Sequence, residues 1–235
     1  MANIPPQLSD FRSRVSSKLG LNNTVAGDQP LIDSWINEAI SEVLTRSRVN
    51  VVPGTMTLTG GSYDYTLPTQ ILALDEIYLT DASTLVWYRL ERRSPAEIIT
   101  FRVGTQFQGS PPVRWFALNG TSTLMVYPTP TAADTLTFYY IPRPAQLVNA
   151  TDYNSDIPSE WQKTIEYYAC WQAGQYMNDA ASQEGNLFRG LYEDELAKLK
   201  KAALHRGGRK LSRAVVGRNP GGRNAPIGLP SQQDV

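Results

Sequence analysis

The sequence predicts an α+β fold: a helical bundle built from N- and C-terminal helices, an inserted antiparallel β-sandwich or barrel, and an extended C-terminal arm. Three observations predict it. Apolar residues recur at helical spacing near both ends of the chain, they alternate with period two between residues 51 and 148, and no apolar periodicity returns after Gly207-Gly208. Helices that flank a run of strands must find one another to bury their stripes, which makes the β region an insertion. The corresponding division is 1–49 for the first helices, 50–150 for the β domain, 151–206 for the closing helices and 207–235 for the arm.

The first helix is predicted over 8–19, where Leu8, Phe11, Val15 and Leu19 share a face and Gly20 supplies a stop. A second begins near Asp28-Gln29-Pro30, buries Ile32, Trp35, Ile36, Ala39, Ile40 and Val43, and ends near Arg48. The period then changes to two in Thr55-Met56-Thr57-Leu58-Thr59 and Tyr63-Asp64-Tyr65-Thr66-Leu67, with β-branched and aromatic residues throughout. Further strands are expected at 75–80, 85–90, 113–118, 123–127 and 135–141, with a turn at Asn119-Gly120 whose loop extends toward Ser122. One helix interrupts them: Ser94-Pro95-Ala96-Glu97 combines an N-cap serine, a proline at the first helical position and a capping glutamate, and the helix should reach Val103.

Beyond Pro142-Arg143-Pro144 the helical period resumes at Pro158-Ser159, where Ser159 and Gln162 are expected to form another capping box. Trp161, Ile165, Tyr168, Ala169, Gln172 and Tyr176 trace one face. A turn near Asn178-Asp179 leads to a last helix with the stripe Phe188, Leu191, Tyr192, Leu196, Leu199 and Ala203, its first turns weakened by Gly185 and Gly190.

From His205 onward the chain carries Arg206, Arg209, Lys210, Arg213, Arg218 and Arg223 against the single acid Asp234, with prolines at 220, 226 and 230. Such a segment buries too little apolar surface to offset its ordering entropy, so it is expected to be ordered by a partner. The whole chain has 22 basic and 22 acidic side chains; without the arm 16 and 21 remain, leaving a body near −5 and an arm near +5. An acidic body with a basic tail suits acidic protein surfaces or other copies of the chain. No run approaches a membrane span and the N-terminus lacks a signal-peptide pattern, so a soluble protein made in the cytosol is expected.

Catalytic equipment is sparse. The one histidine, His205, reads as a cation in a helix's last turn, and it cannot by itself make an HExxH or Cys/His zinc site. Cys170, beside Tyr167, Tyr168 and Trp171, reads as a core residue, and GxSxG, GxGxxG and GxxxxGK motifs are absent. Asp152-Tyr153-Asn154-Ser155-Asp156 begins like a calcium loop, but Ile157 and Lys163 stand where glycine and glutamate are needed, so turn and cap roles are expected. Asp75-Glu76 as adjacent strand residues should face opposite ways and fail as a hydrolytic pair. Trp87, Tyr88, Trp115, Tyr139 and Tyr140 suit a sandwich core or a subunit interface, with a carbohydrate-binding β-module as an alternative. A basic-tailed nucleic-acid-binding protein is the other, although the arm lacks interleaved aromatic residues for base stacking.

Trp35-Ile36-Asn37-Glu38-Ala39, Gly61-Ser62-Tyr63-Asp64-Tyr65-Thr66-Leu67-Pro68, Leu90-Glu91-Arg92-Arg93-Ser94-Pro95-Ala96-Glu97 and Leu124-Met125-Val126-Tyr127-Pro128-Thr129-Pro130, followed by Thr135-Leu136-Thr137-Phe138-Tyr139-Tyr140, are carried together with the closing helical pair. With these segments the chain resembles the head-to-tail adaptor proteins of tailed bacteriophages over about residues 7–205. The resemblance implies a non-enzymatic virion protein at the head–tail junction, assembled in the host cytoplasm. It implies a ring, usually of twelve copies, between the portal protein and a downstream tail or nozzle protein. Genome DNA would pass through the channel without sequence-specific binding, and neither cofactor nor membrane is involved. The segment from Arg206 to Arg223 fits the portal-holding C-terminal extension of such adaptors, with Arg206, Arg209, Lys210, Arg213, Arg218 and Arg223 as its docking cations.

Overall fold

A computed structural model describes residues 5–20, 29–80, 87–104, 113–120, 122–130, 133–177 and 183–206. Helix α1 (Leu8–Leu19) follows its apolar spacing, with Leu8, Phe11 and Val15 buried. It stops at Gly20, whose left-handed φ of 64° costs little without a Cβ and lets its N–H donate to Ser16 O. Helix α2 (Gln29–Ser47) buries Ile32, Ile36, Ala39, Ile40, Val43 and Leu44, while Trp35 is half-buried. Near the other end of the chain, a single 3₁₀ turn (Ser159–Trp161) leads into α4 (Lys163–Met177), and α5 spans Gln183–Arg206. Side chains of α1, α2, α4 and α5 share one core that also takes in Ile141, Leu147 and Ile157.

The intervening chain forms β1 (Val52–Thr57), β2 (Asp64–Thr66), β3 (Ile71–Thr80), β4 (Trp87–Arg89), β5 (Glu91–Arg92), α3 (Pro95–Val103), β6 (Trp115–Asn119), β7 (Thr123–Tyr127) and β8 (Thr135–Pro142). They make two four-stranded sheets, ordered β1-β8-β3-β4 and β2-β7-β6-β5. Ile77, Leu79, Leu136 and Phe138 from the first sheet meet Phe116, Leu124 and Val126 from the second in a common core. The alternate residues Ala117, Met125 and Tyr127 turn to the far side of the second sheet, where Ile98 and Phe101 of α3 cover them. The stacking order is therefore α3, second sheet, first sheet.

Three expectations of strand pairing and capping change. The β region is not wholly antiparallel, because Glu91↔Trp115 and Arg92↔Phe116 pair β5 with β6 in parallel. The strand expected at 85–90 instead changes sheets at Leu90: residues 87–89 pair with β3 and residues 91–92 with β6, while Leu90 points into the shared core. The Ser159–Gln162 capping box lacks its return bond, since Gln162 Oε1 accepts no hydrogen bond. Its Nε2 donates instead to the carbonyls of Asn154 and Ile157 at 3.1 and 3.3 Å. The turn expected at Asn178-Asp179 lies outside the described residues.

Glycine is required at one position inside a strand. Gly54 sits opposite Phe138, and a Cβ built on it would stand 2.6 Å from Phe138 Cε2. Phe138 is buried and cannot swing away. Gly54→Ala is therefore expected to destabilise the protein by about 1–3 kcal/mol through overpacking, read as a lower urea midpoint.

Candidate interaction surfaces

Charge pairs fasten the helices that would carry any C-terminal docking segment. Arg12 of α1 donates to both carboxylate oxygens of Asp33 in α2 at 2.6 and 2.5 Å. Glu166 of α4, with its side chain only 4% exposed, accepts from Arg14 at 2.6 Å and Lys18 at 2.7 Å. Arg46 of α2 donates from both terminal guanidinium nitrogens to Glu193 of α5 at 2.8 and 2.9 Å, which holds the Glu193 carboxyl below its ordinary range. Tyr192 of α5 is fully buried, edge-on to Tyr168 at 5.2 Å and stacked on Trp171 at 6.0 Å; burial pushes its hydroxyl up to about 12. Gly174 and Gly185 let α4 and α5 approach, since a Cβ on Gly174 would lie 3.3 Å from the Gly185 backbone.

Arg206 is the final residue of α5, so α5 is the root from which the basic segment departs. Arg209, Lys210, Arg213, Arg218 and Arg223 lie outside the described residues.

The junction between helices and sheets is also tied. Arg48, left-handed at φ 54° just past α2, donates to Asp75 at 2.5 Å, and Asn50 donates to Asp156 at 2.9 Å. Asn37 both donates to Leu147 O at 3.1 Å and accepts from Leu147 N at 2.8 Å, pinning the chain returning from β8 onto α2. Asp75 stands at a register shift in β3, between Leu74 and Glu76. That irregularity corrects the expectation of opposite faces: Asp75 and Glu76 both line a cleft of about 470 Å³ with Arg89, Leu90 and Glu91. Both carboxylates are engaged, Asp75 by Arg48 and Glu76 by Arg89 and the Tyr78 hydroxyl.

The segment with calcium-loop character caps α1. The carbonyls of Ala150 and Asp152 accept from Ser9 and Leu8 N–H at 3.0 and 2.8 Å, while the Asp152 carboxylate accepts from Val148 and Asn149 N–H at 2.8 Å each. These bonds, from Asn149 and then Val148, hold the Asp152 carboxyl below its ordinary value. The stabilisation is present above the unfolded value and is lost as pH falls through the lowered folded one. Acidification below about pH 4 is thus expected to lower the hydrogen-exchange protection factors of Val148 and Asn149, relative to intrinsic rates at the same pH, before those of the core amides.

Cys170 is buried among the helices, and burial pushes its thiol up to about 12, so it is the core residue its neighbours indicate. Among the described residues, no group of three or more His, Cys, Asp and Glu side chains could hold a metal, and no helix is long and apolar enough to cross a membrane.

Two surfaces are exposed, the first unnoticed in the sequence and the second containing Trp87, one of the aromatic residues expected in a sandwich core or a subunit interface. On α3, Ala96, Ile99, Thr100 and Val103 point away from the second sheet, with Ile99 50% and Val103 81% exposed. On the first sheet, cross-strand pairing aligns Thr57, Thr135, Thr80 and Trp87 in one row, and Thr55, Thr137, Tyr78 and Arg89 in the next, on the side away from the core. The i, i+3, i+7 spacing of Ala96, Ile99 and Val103 was visible, but which face the sheet would take was not.

A family model described as SU10 adaptor protein matches residues 6–218, a span that takes in every described helix and strand and runs past α5 to Arg218. No curated protein matches the chain.

Proposed function

The chain belongs to the SU10 adaptor protein family, a phage head-to-tail adaptor type, and on that premise we propose that its copies form a ring joining the portal protein to the tail. Membership makes it a structural phage protein of the virion whose family implies interaction with portal and tail components. In the proposed assembly about twelve copies surround the DNA exit channel, DNA passes without sequence-specific binding, and a downstream tail or nozzle protein docks opposite the portal. The protein acts without catalysis, through surfaces alone. The observation that carries this reading is the length of the match, which spans the helical part, both sheets and the first part of the basic segment.

The helical part, 1–49 with 151–206, serves as the rigid root, the β domain of 50–150 as lateral and tail-facing surface, and 207–235 as the portal-docking arm. Arg206, Arg209, Lys210, Arg213, Arg218 and Arg223 are the docking cations. Repeating one arm on every subunit makes individually weak contacts strong through effective concentration. Arms ordered only on docking would keep the adaptor unassembled until a portal is present.

Electron microscopy of the protein mixed with its cognate portal tests the reading. A stacked ring is expected with the full chain. Absence of a ring, together with salt-sensitive DNA binding at physiological ionic strength, would sink it in favour of a nucleic-acid-binding protein.

A further inference from the structure

We infer that the ring closes by seating the outward face of α3 in one copy on the threonine–aromatic face of the first sheet in the next. The inference rests on the ring proposed above and names the surfaces that build it.

A closed ring of identical subunits needs a heterologous interface, with two different patches on nearly opposite sides of each copy. For about twelve copies each step turns only about 30°, so the two patches must be almost back to back. The β domain has that arrangement. Its stacking order begins with α3, which covers the second sheet through Ile98 and Phe101 and leaves Ile99 and Val103 to solvent. It ends with the outer side of the first sheet. There the helical part covers the end around Ala73, Asp75 and Ile141, while Thr55, Thr57, Thr135, Trp87 and Arg89 stay exposed.

The two patches are chemically matched. Trp87, 57% exposed, rests against Tyr78 at 6.3 Å, and Tyr78 meets Tyr139 edge-on at 6.0 Å, giving a firm aromatic floor among short threonines. Ile99 and Val103 form a narrow apolar ridge of the size that such a floor accepts, and Ala96 lets the helix approach closely. The rims carry opposite charges: Glu97, exposed beside the ridge and also bonded to Ser94 and Arg93, and Arg89, exposed at the edge of the floor and also paired with Glu76. Helix on sheet is also the packing that α3 already makes inside the subunit, so the proposed contact repeats it on the part of the first sheet's outer side that the helical part leaves open.

The test uses cysteine pairs in the full-length protein assembled on its cognate portal, with a short bis-maleimide. Buried Cys170 stays silent in the unsubstituted control. The double variant Val103→Cys/Thr135→Cys is expected to give a ladder that ends at the ring's copy number. A mixture of the two single variants should stop at dimers, and each single variant alone should give none. As a second readout, Ile99→Asp/Val103→Asp should lower ring occupancy on the portal at least tenfold with an unchanged thermal midpoint. A ring seen by microscopy without a ladder, and without loss in the aspartate variant, overturns this interface and leaves the adaptor reading standing. Cross-linking of Val103→Cys to itself overturns it as well, because it would mark a symmetric pairing. No ring even with the unsubstituted protein overturns both.

Discussion

Truncation after His205 is expected to weaken binding to the portal at least about a hundredfold while leaving the thermal midpoint unchanged. The arm supplies six cations and one acid. A charge-assisted hydrogen bond contributes about 1.5 kcal/mol or more, so three engaged arginines would supply about 4 kcal/mol, near a thousandfold, before the cost of ordering the chain. Stability should not follow, because the last fully buried residue of described α5 is Leu199, well before the cut. The triple variant Arg209→Glu/Lys210→Glu/Arg213→Glu separates charge from length. It should lose nearly as much as the truncation, and the remaining affinity should depend weakly on salt. Titrating portal with full-length, truncated and charge-reversed protein decides the matter: equal affinities for all three would remove the arm from the docking mechanism.

What the sequence disclosed was whatever local chemistry determines. α1 occupies the expected 8–19 because its stripe and Gly20 lie within one stretch of chain. α3 begins where expected because Ser94 and Glu97 close a reciprocal cap, the Glu97 N–H donating to Ser94 Oγ at 3.2 Å and the Ser94 N–H to Glu97 Oε2 at 2.8 Å. β7 likewise covers the expected 123–127. The misses share a different cause. Leu90 divides one expected strand between two sheets because of partners in β3 and β6 that are distant in sequence, and no local pattern encodes that choice. Asp75, at the register shift in β3, is bonded by Arg48 from just past the end of α2, and Gln162 abandons its cap for the carbonyls of Asn154 and Ile157. The outward faces of α3 and the first sheet were hidden for the same reason: exposure depends on which side the tertiary packing takes.

The aromatic cluster beneath α5 is expected to govern the proposed arm from a distance, and Tyr192→Ala tests it. The side chain is fully buried against Tyr168 and Trp171, with the Arg46 guanidinium 5.6 Å from its ring centre. Truncation to alanine removes an aromatic side chain and leaves a cavity, a loss of roughly 3–5 kcal/mol. At about 2–4 °C per kcal/mol for a domain of this size, the thermal midpoint should fall by about 10 °C. Tyr192→Phe isolates the packing contribution. The buried hydroxyl lies beside the Arg46 guanidinium without a well-formed hydrogen bond to it, so its removal should change stability by less than about 1 kcal/mol, and Arg46 keeps its two bonds to Glu193. Because α5 carries the arm's root, Tyr192→Ala should also weaken portal binding although every arm residue is intact, whereas Tyr192→Phe should bind normally. A phenylalanine variant as unstable as the alanine one would show that the hydroxyl, rather than the ring, seats α5. An alanine variant that melts low yet binds the portal with full affinity would show that the arm docks without a fixed root.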